Sequence, residues 1–285
     1  MKSVRVRTPA KVNLCLRVLR GRPDGYHDIE SLFQAIDLED ELIIEKIQGT
    51  SVLEVPGFPS LENEENLIIK AVRWIERETD TKVQVRIRLN KIIPIAAGLG
   101  GGSTDAAAAL MGICSLFDLQ LPDEAIYRGA RTLGADVPFF LKGGSAVGEG
   151  VGDVLTPADL PLDYGLILVN PGFPVSTGAV YKEYSASLTG MVGTGKLWTR
   201  IREHQDVASL LYNDLQAPAE RLHPEISEVR IFLEGAGLKK SLMSGSGPTI
   251  FGIGDPDELS GIRDVVPERW HAFLVRPIKR GLTMD

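Results

Sequence analysis

The chain has 285 residues, enough for two compact domains that each bury a core. Hydrophobic residues make up 44% and charged residues 24%, ordinary globular usage that excludes a disordered or fibrous chain. Thirty-one basic against 38 acidic residues give a net charge of −7, which opposes non-specific attachment to nucleic acid or to an anionic membrane. No apolar run approaches the roughly 20 residues that span a bilayer, and residues 1–19 alternate polar with apolar residues, unlike a secretory signal. Cys15 and Cys114 form neither a CxxC pair nor a metal-ligand spacing. A reduced, cytoplasmic setting with buried or half-buried structural cysteines is expected, a catalytic thiol being the alternative.

Residues 10–18 alternate as a strand, with Val12, Leu14, Leu16 and Val18 on one face and Lys11, Asn13, Cys15 and Arg17 on the other. Lys11 and Asn13 then point the same way, onto a solvated face or into a site. Gly21-Arg22-Pro23-Asp24-Gly25 has the chemistry of a turn and delivers Tyr26, His27 and Asp28 to a second strand, so a hairpin is expected. Tyr26 and His27 suit either packing or recognition, one as a stacking platform and the other as a hydrogen-bonding group. Strand-like pieces over 40–55 end at Pro56 and Gly57. Residues 66–77 repeat Leu67, Ile68, Ala71, Val72 and Ile75 at helical spacing, and 81–89 alternate as a half-buried strand.

The stretch that follows, PIAAGLGGGSTDAAAAL, places glycines before Ser103, Thr104, Asp105 and four alanines. Glycines allow φ > 0 and close backbone approach, the Ser-Thr-Asp cluster offers N-cap side chains, and a helix N-terminus favours an anion. A phosphate-binding loop and a flexible connection both fit that pattern. The helix should run to about Phe117, and a second from near Pro122 to Gly134. Asp136 follows, in an otherwise apolar segment reaching Leu141, as a structural cap or as an acid with a partner. Residues 143–152 are glycine-rich, and 157–161 read as a linker between two domains, 1–157 and 158–285. In the second half, strands are expected over 164–170, 239–243, 249–253 and 271–275. Helices are expected over 175–184, where Thr177 and Tyr181 share a face, and over 207–215, 218–234 and 257–265. This order resembles a split β-α-β, ferredoxin-like unit with extra helices. Residues 189–195, with three glycines, read as a mobile surface loop.

A Walker loop needs GxxxxGK[ST], yet Ser103 and Thr104 follow the glycines without a lysine. The dinucleotide fingerprint has Ser103 where its third small residue belongs, and the protein-kinase signatures are missing. Three separated blocks instead resemble the motifs of the GHMP small-molecule kinases: Pro9-Ala10-Lys11-Val12-Asn13-Leu14, the loop from Pro94 through Ile95, Ala96, Ala97, Gly98, Leu99, Gly100, Gly101 and Gly102 to Ser103, and Ser244-Gly245-Ser246-Gly247-Pro248-Thr249. The Tyr26-His27 turn and Gly134-Ala135-Asp136-Val137-Pro138 are similar to the branch that phosphorylates a cytidine-diphosphate-linked polyol.

The resemblance implies an α+β, two-domain GHMP kinase fold: a ribosomal-protein-S5-like N-terminal domain and a ferredoxin-like C-terminal domain. It implies a monomer or weak homodimer that uses ATP and Mg²⁺ on a small-molecule substrate, with neither nucleic acid nor membrane as a partner. ATP phosphates would lie under the loop from Pro94 to Thr104, with Ser103 as the hydroxyl nearest the metal. Asp136 would be the general base, Lys11 its charge partner, and Asn13 the group orienting the acceptor. Tyr26 and Tyr181 would stack on the two faces of the base, His27 would bond its edge, and Thr177 would contact the diphosphate or sugar. Ser246 and Gly247 would close over the site. A homoserine-, mevalonate- or galactose-type kinase, a non-catalytic nucleotide-binding protein and a dinucleotide-binding oxidoreductase are the competing readings.

Overall fold

A computed structural model of the chain describes residues 2–186, 196–203 and 206–285; the stretch 189–195, expected to be a surface loop, lies outside the described residues. Two long strands, β1 (Ser3–Gly21) and β2 (His27–Lys46), form the antiparallel hairpin that carries the first half. Their apolar alternation explains the pairing, and Gly25, at φ 85°, takes the left-handed conformation the connecting turn requires. β3 (Val52–Glu54) and β4 (Val85–Asn90) extend the sheet beyond β2, while β5 (Ser145–Glu149) and β6 (Val154–Ala158) branch from the other end of β2. Helices α1 (Leu67–Thr79), α2 (Gly101–Phe117), α3 (Asp123–Leu133) and α4 (Val137–Lys142) share one apolar cluster with these strands. Asn66 caps α1 by accepting from the Ile68 amide at 2.9 Å.

The second half contains β7 (Gly165–Asn170), helices α5 (Thr177–Ala186) and α6 (Lys196–Glu203), and β8 (Tyr212–Asn213). After these come α7 (Gln216–Leu222), α8 (Pro224–Gly235), β9 (Ser241–Met243), β10 (Ile250–Gly254), α9 (Pro256–Arg263), β11 (His271–Val275) and β12 (Thr283–Met284). The second sheet runs β11-β7-β10-β9 with antiparallel neighbours, the ferredoxin-like order. β8 and β12 cross over and pair with β1, and a second apolar cluster joins Val12, Leu14 and Leu32 of the first half to Leu166, Leu168 and Phe251 of the second. The two sheets therefore share one apolar cluster, into which the β1–β2 hairpin of the first sheet packs.

Several local expectations change. A register shift between Asn13 and Cys15 resets the alternation of β1, so Cys15 is buried in the same cluster as Val12 and Leu14. Pro157 and Ala158, expected in a linker, belong to β6, where they pair with Ala146 and Ser145; an edge strand tolerates proline because one side of its ladder is unpaired. The helical pattern over 207–215 resolves into a 3₁₀ turn, Val207–Leu210, followed by β8. Residues 218–234 form two helices, because Pro224 begins a new one after His223. The apolar run after Asp136 is the short helix α4. Both cysteines are buried, and burial pushes the Cys114 thiol up to about 11, away from the reactive thiolate.

Candidate active site

The glycine loop turns sharply between β4 and α2. Gly98 and Gly100 have φ of 75° and 74°, and Gly100 is the N-cap of α2. Neither position has room for a side chain. A Cβ on Gly98 would fall 2.0 Å from the Ser244 carbonyl oxygen, and one on Gly100 would meet Phe140 at 2.6 Å and the Lys11 stem at 3.2 Å. Ala96 also lies in the left-handed region, at φ 50°, a strain of about 1 kcal/mol or more for a non-glycine residue. Ser103, Thr104 and Asp105 do not cap α2 from in front, as expected; they lie inside its first turns, and the helix begins two residues before Ser103.

Three chain segments are laced to this loop. The Lys11 amide donates to the Leu99 carbonyl at 3.0 Å, fixing β1 against the loop. Ser244 Oγ donates to the Gly98 carbonyl at 2.9 Å and accepts from the Asn13 amide at 3.3 Å, so the Ser-Gly-Ser-Gly turn closes onto both. Asn213 of β8 holds that turn in place, its side-chain amide donating to the carbonyls of Met243 at 2.7 Å and Gly245 at 2.8 Å. Lys11, with a side chain only 4% exposed, donates to Asn13 Oδ1 and sits 3.3 Å from Asp136 Oδ2, whose side chain is 32% exposed. Asn13 Nδ2 donates to Ser31 Oγ at 2.7 Å, which in turn donates to the Cys15 carbonyl at 2.8 Å. Neither Lys11 nor Asn13 lies on a solvated face.

These groups border a cavity of about 790 Å³, within the size range of small-molecule sites. Lys11, Asn13, Ala96, Ala97, Gly98, Gly100, Gly101, Gly102, Ser103 and Asp136 line it from the first half, together with Tyr26 and His27; Thr177, Tyr181 and Ser246 line it from the second. Thr177 and Ser246 hydroxyls are 2.8 Å apart. Five expected residues do not line it. Pro94 and Ile95 precede the sharp turn, and Leu99 is buried, offering only its carbonyl to Lys11. Thr104 is fully buried and its hydroxyl pairs with Thr8. A Cβ on Gly247 would meet Met243, because that residue faces the core of the second sheet. Tyr181 stacks on His27, with ring centroids 5.0 Å apart, while Tyr26 is 63% exposed. His27 Nε2 lies 2.7 Å from Ser185 Oγ. Burial, and then the Asp136 carboxylate, raise the Tyr181 phenol above its ordinary value.

Phe33, Lys182 and Ser185 line the cavity without having been singled out, and Leu67, read only as part of a helical repeat, lines it too; Lys182 stands next to Tyr181, the signal that marks it. No group of three or more His, Cys, Asp or Glu side chains that could hold a metal is found among the described residues. No helix among them is long and apolar enough to cross a membrane.

The family model described as GHMP kinases N terminal domain matches residues 66–144, and that described as GHMP kinases C terminal matches 199–272. The 4-diphosphocytidyl-2-C-methyl-D-erythritol kinase of Syntrophus aciditrophicus is 40% identical over 96% of this chain and 99% of its own length. The chain belongs to the GHMP kinases. The enzyme of the same name from Geobacter metallireducens is 42% identical over 89% of this chain and 90% of its own. Among solved structures, a 4-(cytidine 5'-diphospho)-2C-methyl-D-erythritol kinase superposes with a TM-score of 0.78 at 35% identity, covering 96% of this GHMP kinase and 98% of that chain. A homoserine kinase from Cytophaga hutchinsonii shares the fold, with a TM-score of 0.75 at 17% identity over 100% of this chain and 98% of that one. The small-molecule kinase class removes the non-catalytic and oxidoreductase readings.

Proposed function

We propose that this chain transfers the γ-phosphoryl group of ATP to the 2-hydroxyl of 4-diphosphocytidyl-2-C-methyl-D-erythritol, a step of the non-mevalonate route to isoprenoid precursors. The observation that carries the reading is the Lys11–Asp136 pair at 3.3 Å on the wall of a cavity that the glycine loop also lines. It occurs in a chain about 40% identical, over nearly its whole length, to kinases of that name. Asp136 accepts the acceptor's proton as the new P–O bond forms. Lys11 neutralises part of the alkoxide charge as it develops. Asn13 cannot roam: its amide is committed to Ser31 and its carbonyl to Lys11, so it presents a fixed edge to the acceptor. The free amides at the start of α2 and the loop glycines hold the phosphates of ATP.

Mg²⁺ fits the donors present. Magnesium takes most of its oxygens from nucleotide phosphates and water and needs few hard protein ligands; the Ser103 hydroxyl, facing the cavity, would be one of them. When bound, the metal supplies charge neutralisation on the transferring phosphate. Tyr26, His27 and Tyr181 form the base-recognition cluster, and their presence opposes a homoserine-, mevalonate- or sugar-type acceptor. Residues 1–157 carry the ATP-binding and catalytic groups, and residues 158–285 contribute to the substrate site. Two buried cysteines suit a reducing cytoplasmic setting. Phosphate transfer from ATP measured on a panel of acceptors tests the assignment. The cytidine-linked polyol should exceed homoserine, mevalonate and galactose by at least about 10³-fold in kcat/KM, and comparable rates would overturn it.

A further inference from the structure

The glycine-rich stretch 143–152 takes no part in the phosphate-transfer scheme, yet two of its glycines press on one side chain of the site. A Cβ on Gly148 would fall 2.4 Å from Phe33 Cε2, and one on Gly152 would lie 3.5 Å from Phe33 Cζ. Gly148 therefore has no room for a side chain: β5 pairs it with Ser31 and pairs Ala146 with Phe33, so the ring leans across the bare backbone. Phe33 lines the cavity but is only 1% exposed, and Lys11 Nζ sits over its ring, 5.5 Å from the centroid. Phe139 packs on Phe33 with centroids 5.3 Å apart, and Phe140 meets Phe139 edge-on at 5.2 Å. Phe140 in turn abuts Gly100, beside the Lys11 stem. An aromatic row thus runs from Lys11 to the glycine loop.

Two buried lysines flank that loop, and they are held differently. Lys91 donates to two carboxylates, Asp40 and Asp105. Lys11, its side chain 4% exposed, has one carboxylate within reach among the described residues, Asp136, together with the Asn13 carbonyl. In the proposed reaction Asp136 takes the acceptor's proton, so its negative charge is lost as the P–O bond forms. A buried ammonium whose counter-charge disappears is costly to keep in place. An aromatic face attracts a cation through its quadrupole whatever the protonation of its neighbours, and most strongly where water is excluded. Asp136 supplies the attraction that changes during transfer, and Phe33 the one that persists.

We propose that Phe33 is a positioning residue for the transfer step: its ring face holds the Lys11 ammonium at the acceptor oxygen while Asp136 gains the proton, and Gly148 and Gly152 leave the space the ring occupies. The inference rests on Lys11 and Asp136 acting as proposed above. Phe33 also belongs to the apolar cluster of the first half, and a purely packing role would be met by any apolar ring of the same size. The two roles separate when the charge distribution of the ring is altered at constant shape.

Replacing Phe33 in the full chain by mono-, di- and trifluorinated phenylalanine drains the ring face stepwise and leaves its size almost unchanged. With saturating Mg·ATP and the cytidine-linked polyol, the single-turnover transfer rate should fall about twofold per fluorine, to roughly a tenth at the end of the series, the scale of a desolvated cation–π contact. ATP affinity and the KM for the acceptor should stay within about twofold, since the ring acts through Lys11 and not on either substrate. In a Lys11→Met background the whole series should alter the rate by less than about twofold, because the ring has lost its cation. Phe33→Leu should cost about tenfold in the wild type and less than about threefold beside Lys11→Met. Should Phe33→Leu fail to fold, the nearly isosteric fluorinated series still decides the matter. Rates independent of fluorination, or an equal fall with and without Lys11, overturn the proposal and leave Phe33 to packing. A wild type that transfers nothing to the cytidine-linked polyol refutes the proposed reaction, and this role with it, a separately visible failure.

Discussion

Two lysine–aspartate clusters flank one loop, and they differ in exposure and in balance. Lys11 and Asp136 pair one to one, and the carboxylate is about a third exposed to a cavity. Lys91 faces two carboxylates, and water reaches none of the three. The same residue types thus serve opposite ends. A balanced pair with one open face can receive a substrate hydroxyl, and its carboxylate stays hydrated when the cation is removed. The closed, unbalanced cluster can act only by holding backbone in place. Surroundings, and not residue type, separate a catalytic candidate from a positioning one.

Replacing each lysine by methionine should pull the comparison apart. Lys91→Met leaves two carboxylates buried without a cation, and breaking such a cluster costs about 3–5 kcal/mol, so thermal unfolding should drop by roughly 6–20 °C. Lys11→Met should cost only about 1 kcal/mol of stability, since Asp136 remains partly hydrated, yet lower turnover about 10²-fold. Similar melting losses in the two variants would erase the distinction. A smaller effect is expected at the acceptor end. Tyr26 is exposed, so Tyr26→Ala should leave the melting temperature within about 2 °C and raise KM for the cytidine substrate about tenfold with kcat little changed; a kcat loss at constant KM would remove Tyr26 from substrate binding.

The sequence exposed the chemistry better than the scaffold. Lys11 and Asn13 could be placed on one side of a strand from alternation alone, and the glycines of the loop announced φ > 0. α2 was legible because its alanines follow the glycines directly in sequence, although the expected Ser-Thr-Asp cap lies inside the helix. Lys91 and Asp40 were not legible, because each looked like one more charge among charged neighbours and only β2–β4 pairing brings them together. Asp105 imitated a capping residue for the same reason: its partner is 14 positions away in sequence and becomes a neighbour only once the loop has folded back. β8 is two residues long and has no periodicity to detect; its pairing with β1 is a tertiary event, yet it delivers Asn213 to the Ser-Gly-Ser-Gly turn. The His27–Tyr181 contact was not legible, because the two residues, 154 positions apart by number, meet only through the contact between the hairpin and α5.

The central claim is that the loop holds the donor while Asp136 and Lys11 prepare the acceptor. Asp136→Asn tests it most directly, with ATP affinity and the single-turnover rate of phosphoryl transfer measured on the same preparation. ATP affinity should stay within about twofold and the transfer rate should fall at least about 10²-fold, the scale of losing a general base. An unaltered transfer rate, or a loss of ATP affinity that accounts for the whole defect, would contradict the account.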